Sequence, residues 1–114
     1  APCHGTMRAT RAILQHSLRL TLFTHDHCSL CHSVKGVMSR VWDRRHFDYR
    51  EVDILAPENS RWRKLYEMDI PVVHIDRTAI LRTQHDETTA SARKLKHRFT
   101  EEQLERVMDE VEKM

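Results

Sequence analysis

Leu18-Arg19-Leu20-Thr21-Leu22-Phe23-Thr24-His25-Asp26-His27-Cys28-Ser29-Leu30-Cys31 is the stretch that decides how this chain folds. Leu18 to Phe23 alternates enough, and is apolar enough, for a buried strand. Beyond Cys28, the residues Leu30, Val34, Val37, Met38 and Val41 recur at the spacing of one helix face, so a helix starts at the cysteine pair. Two cysteines three apart on a first helical turn stand ~5–6 Å apart, within reach of a disulfide with little backbone movement. The first also sits at the positive end of the helix dipole, which stabilises a thiolate and makes Cys28 the expected nucleophile. Cys31, one turn further in, is more shielded and suits a resolving role.

The pattern continues outward from that stretch. Phe47 to Ile54 reads as a second strand, and Ala56-Pro57-Glu58-Asn59 as a helix start with Trp62, Leu65 and Tyr66 on its apolar face. Ile70-Pro71-Val72-Val73-His74-Ile75 reads as a third strand. Asp76-Arg77-Thr78 is then expected as a tight turn into a return strand at Ala79-Ile80-Leu81, making a hairpin. Residues 83–98 are expected as a polar surface loop carrying the basic cluster Arg93, Lys94, Lys96 and Arg98. Thr100-Glu101-Glu102-Gln103 matches a capping box, with Leu104, Val107, Met108 and Val111 as one stripe behind it. The class is α/β: a four-stranded mixed sheet flanked by three helices in the order βαβαββα, the first two strands parallel and the last two antiparallel.

At 114 residues the chain suits one domain, 18–114, preceded by an N-terminal extension, 1–17. Nineteen basic against 17 acidic side chains leave a net charge of +2, which argues against a nucleic-acid partner. No apolar run approaches membrane-span length, so no membrane association is expected. Three cysteines, with Cys3 isolated, do not make a disulfide framework. They point to a reducing compartment and a catalytic or metal-binding pair. Arg8, Arg11 and Arg19 with no acid before Asp26 resemble the composition of a mitochondrial presequence, so the expected location is mitochondrial or cytoplasmic.

This element order resembles the thioredoxin fold, with Cys28-Ser29-Leu30-Cys31 after the first strand and Ile70-Pro71-Val72 at the third. Within that fold the chain is most similar to glutaredoxins. Leu22 to Cys31 resembles the glutaredoxin strand, loop and Cys-x-x-Cys, Asp69 to Val73 the cis-proline loop, and Phe99 to Met108 the C-terminal helix of a smaller glutaredoxin-like family. The resemblance implies thiol–disulfide exchange with Cys28 and Cys31 as catalytic residues. It also implies His25, His27, Ile70 and Pro71 as substrate-binding residues, no metal or resident cofactor, and protein disulfides or glutathione as partners. Three positions depart from the glutaredoxin pattern. Ser29 replaces the usual proline, and His25 stands where a glutathione-binding lysine is common. Leu81-Arg82-Thr83-Gln84 offers no double glycine after the expected hairpin.

Other chemistries fit parts of the pattern. Cys28-Ser29-Leu30-Cys31-His32 also spells the c-type haem attachment sequence. The two cysteines with two of His25, His27, His32 or His97 would make a small zinc-binding domain. A non-catalytic thioredoxin-fold subunit, docked in a larger assembly through the basic loop, is the remaining alternative.

Overall fold

The structure is a computed structural model and describes residues 16–114. Cys3, Arg8, Arg11 and most of the N-terminal extension, together with the presequence reading, lie outside the described residues. Strand β1, Leu18–Thr24, is buried at all seven positions, which places it inside the sheet. It pairs in parallel with β2, Asp48–Asp53, and antiparallel with β3, Val72–Arg77. A fourth strand, β4, Arg93–Lys96, closes the other edge antiparallel to β3, so the sheet order is β2-β1-β3-β4. The helices are α1, Ser29–Arg44; α2, Ser60–Tyr66, entered through a single 3-10 turn at Pro57–Asn59; α3, Thr78–Arg82; and α4, Glu101–Glu112. No helix among the described residues is long and apolar enough to cross a membrane.

Strand pleating divides the core in two. Leu18, Leu20 and Leu22 of β1 and Val73 and Ile75 of β3 point to one face, where they meet Val34, Met38 and Val41 of α1 and Leu104, Met108 and Val111 of α4. Each fully buried side chain of this size contributes about 1.5–3 kcal/mol, so this layer dominates the stability. The two helices are also clamped along their length, Arg40 and Arg44 to Glu101, Arg44 to Glu105, and Arg45 to Asp109 and Glu112. At the start of α4 the capping box is complete: Thr100 Oγ1 accepts from the Gln103 N–H at 3.1 Å and Gln103 Oε1 from the Thr100 N–H at 2.8 Å. A Thr100→Ala variant is expected to cost about 1 kcal/mol, read as a lower urea midpoint with unchanged slope.

The hairpin expectation is corrected. Ala79-Ile80-Leu81 lies in helix α3, and the return strand is β4, inside the stretch expected to be loop. The Thr78 N–H and hydroxyl both bond to the Ser17 carbonyl, and the hydroxyl also reaches that of His16. These bonds turn the chain at the end of β3, and of the three apolar candidates only Leu81 becomes buried. With α3 included there are four helices rather than three. The chain between α3 and β4 crosses the second face of the sheet as a strap. There Asp86 pairs with Arg19 at 2.9 Å and with Arg50 at 3.4 Å.

Beneath the strap runs a buried polar relay. Thr88 Oγ1 donates to Asp76 Oδ2 at 2.7 Å and therefore accepts from His74 Nδ1 at 2.8 Å. The other ring nitrogen, Nε2, then accepts the Tyr66 hydroxyl at 2.6 Å. His74 is fully buried, and burial, with Lys94 adding to it, lowers its pKa from 6.5 to about 3. Burial raises the Asp76 carboxyl despite the Thr88 bond and the nearby Arg19 and Lys94 charges. Burial, and secondarily Asp69, also raises Tyr66.

Candidate redox site

The site forms at the end of the sheet where β1 finishes and α1 begins. Leaving β1 at Thr24, the chain makes a turn in which His27 takes a left-handed φ of 64°, and Cys28 becomes the N-cap of α1. As N-cap, Cys28 is extended, and its Sγ accepts the Cys31 N–H at 3.1 Å, so the sulfur fills the place that a serine or aspartate oxygen takes at ordinary helix starts. Cys28 and Cys31 are joined in a disulfide with their Cα atoms 5.2 Å apart. Cys28 is half-buried, whereas Cys31 is 2 % exposed. An incoming group therefore meets Cys28 first.

The loop before β3 reaches the same end, because Phe23 pairs with Val72 in the β1–β3 register. The Ile70–Pro71 peptide is cis, and the Pro71 carbonyl accepts the N–H of His97, whose φ is 65° just past the end of β4. Lys96 pairs with Asp69 at 3.2 Å and lies over the Tyr66 ring, which holds this loop to the edge strand. His25 and His27 both lie in the turn ahead of Cys28. The His25 ring is turned onto its own loop, donating to the Asp26 carbonyl, and His27 is exposed. The zinc set drawn from the sequence does not assemble: among the described residues no three His, Cys, Asp or Glu side chains come together to hold a metal.

One part of the site was not expected. A cavity of about 450 Å³ opens between the start of α1 and the start of α4, with Leu30, Val34, Val37 and Phe99 as its apolar lining and Arg98 among its polar residues. Arg98 counted in the sequence only as one of a run of loop cations. Nothing in the spacing joins residue 30 to residue 99.

A mixed sheet in the order β2-β1-β3-β4, a disulfide across the first turn of α1 and a cis-proline loop beside it define a dithiol protein of the thioredoxin fold. Solved structures share this architecture. Target protein XcR50 from X. campestris superposes with a TM-score of 0.55 at 20% identity, covering 80% of this chain and 96% of that one. Oxidised thioredoxin O2 from Arabidopsis thaliana gives 0.54 at 16%, covering 83% and 75%. Thioredoxin f2 from Chlamydomonas reinhardtii gives 0.55 at 14%, covering 84% and 80%. The Glutaredoxin-like domain (DUF836) family matches residues 19–109, and the chain belongs to that family. A relative, the "Glutaredoxin-like protein YDR286C homolog" of Dictyostelium discoideum, is 29% identical over 75 residues, spanning 62% of this chain and 69% of that protein.

Proposed function

We propose that the protein is a glutaredoxin-like thiol–disulfide oxidoreductase in which Cys28 is the nucleophile and Cys31 the resolving cysteine. The observation that carries this reading is the bonded pair itself: an accessible Cys28 capping α1 and a buried Cys31 one turn behind it. In the reduced state the Cys31 N–H and the helix dipole face the Cys28 sulfur, an arrangement that favours its thiolate. The thiolate attacks a substrate disulfide, and Cys31 then displaces the substrate, leaving the Cys28–Cys31 bond for an external thiol to reopen.

Ile70 and Pro71 of the cis-proline loop, with His25 and His27 of the turn ahead of Cys28, are the substrate-binding residues in this reading. The partners are protein disulfides or glutathione, with glutathione as co-substrate rather than a resident group. The cycle belongs in a reducing compartment, where thiols are available to reopen the bond.

Equilibration in glutathione redox buffers with thiol trapping tests the reading. One Cys28–Cys31 disulfide should open and close reversibly, with a potential in the range of roughly −180 to −270 mV common to dithiol carriers. A pair that stays closed, or stays open, across that range would remove the enzyme reading.

A further inference from the structure

We propose that the cleft beside Cys28 docks polypeptide clients that carry an apolar residue and an acidic residue next to their disulfide. This rests on the oxidoreductase reading and specifies its substrate. The cleft begins at Leu30, between the two cysteines, so a side chain seated in it is tethered close to the reacting sulfur. Val34 and Phe99, 2 % and 7 % exposed, form a fixed floor, and Leu30 and Val37 stand half-buried as walls. A lining of this kind offers ordered water few partners and suits a leucine- or methionine-sized side chain. Glutathione carries no such group.

A second apolar group lies in the cis-proline loop. Met68, 85 % exposed, stands in the turn that leads into Ile70–Pro71, and Ile70 itself is half-buried. Methionine adapts to varied partners, and apolar groups both in the cleft and in the loop that carries Ile70–Pro71 suit a polypeptide better than a small disulfide.

Charge selects the second feature. Lys96 is engaged by Asp69, and Arg40 and Arg44 are engaged by Glu101. Arg98, exposed and lining the cleft, has no ion-pair partner among the described residues, and the cleft lining contains no carboxylate. A client carboxylate completes it, with His97 and His32 exposed close by in the sequence to Arg98 and Cys31.

The exchange balances as follows. The Cys28 thiolate bonds to one client sulfur and breaks the client disulfide, and the released client sulfur takes up a proton as a thiol. The Cys31 thiolate then bonds to Cys28 Sγ and releases the second client sulfur, also protonated. Two electrons pass to the client, and two equivalents of a low-molecular-weight thiol restore the dithiol.

The test uses pre-reduced protein in single turnover with two disulfide-linked peptides, identical except that glutamate or lysine follows a leucine beside the cysteine. The wild-type protein should reduce the glutamate peptide about threefold to fivefold faster at low ionic strength, a margin expected for an exposed charge pair, and the margin should shrink in high salt. In Arg98→Glu the ratio should invert in favour of the lysine peptide. Because each ratio is measured on one protein sample, partial unfolding or an altered Cys28 reactivity cancels. Replacing the leucine by glycine should slow both peptides on the wild-type protein. A ratio near one in the wild type, or the same ratio in Arg98→Glu, overturns the docking proposal. Reduction of neutral hydroxyethyl disulfide by the wild-type protein separates the two levels. If it proceeds without peptide preference, only the docking proposal is lost, and if it fails, the oxidoreductase reading falls and the docking proposal with it.

Discussion

A Cys28→Ser variant is expected to lose thiol–disulfide exchange to background, a fall of at least roughly 10³-fold, because the only sulfur of the pair that an incoming disulfide can approach is gone. Cys31→Ser should behave differently. Its Cys28 remains the N-cap of α1 and keeps the Cys31-position N–H as a donor, so the first attack proceeds. Without a resolving sulfur, the mixed disulfide accumulates in stoichiometric amount, visible by mass spectrometry after acid quenching. The asymmetry follows from burial: Cys31 at 2 % exposure cannot meet a client disulfide without opening the first turn of the helix. If Cys28→Ser instead accumulated the adduct while Cys31→Ser were inert, the two roles would be exchanged and the N-cap argument would fail.

The same contrast between local pattern and long-range packing explains which parts of the molecule could be read from its sequence. Strand β1, helix α1 and helix α4 carry strong periodicity and explicit end signals, Cys28 at one helix start and the Thr100–Gln103 box at the other, so local rules find them. The exchange of α3 and β4 shows where those rules stop. Ala79-Ile80-Leu81 is three apolar residues long, too short for periodicity to separate helix from strand, and the deciding contacts are Thr78 to the carbonyls of His16 and Ser17, some sixty residues away. Strand β4 is an edge strand of four residues with one apolar side chain, Leu95, so its sequence looks like loop. That displacement also moves the turn facing the redox pair. The chain passes the site at His97 and Arg98, after β4, and not at Leu81 to Gln84.

The second face of the sheet was illegible for a related reason. A thin helix of seven residues, α2, leaves much of that face to be covered, and the strap from α3 to β4 does it through Asp86 and Thr88. No spacing rule predicts that Thr88 will meet His74. His74 alternates correctly for a strand whose other face is apolar, and its polarity becomes meaningful only when Tyr66, Thr88 and Asp76 are brought around it.

That relay makes the protein acid-sensitive, with a predictable sign. The folded-state pKa of His74, about 3, lies below the value of 6.5 for a free imidazole. Between those limits the unfolded chain binds a proton that the folded protein does not, so acid draws the equilibrium toward unfolding. The contribution is fully present above pH 6.5 and is lost progressively down to about pH 3. At 1.36 kcal/mol per unit the loss is roughly 5 kcal/mol, a large share of the 5–15 kcal/mol that stabilises a typical domain.

The groups facing the imidazole set the details. Protonating Nε2 removes the acceptor for the Tyr66 hydroxyl within a cage of Phe23, Trp62 and Tyr66 rings, and Lys94 opposes the new charge. Asp76 works the other way. Its raised pKa means that the folded protein takes up the Asp76 proton first, which offsets part of the loss just above the ordinary carboxylate range. Asp86 and Glu101, both held low by arginine partners, add to the acid loss, but both carboxylates and the arginines of Glu101 reach solvent, so they add little. Urea unfolding of the wild type from pH 7 to pH 4 should therefore show a falling midpoint. His74→Gln keeps a donor and an acceptor for its two hydroxyl neighbours but cannot titrate. It should be less stable than wild type by about 1–2 kcal/mol at pH 7, through imperfect hydrogen bonds, and should show a flatter pH slope. The two curves should converge or cross near pH 5–6. Parallel curves for the two proteins would mean that His74 is not the group whose protonation drives acid unfolding, and the strap would then have to be released by its surface pairs instead.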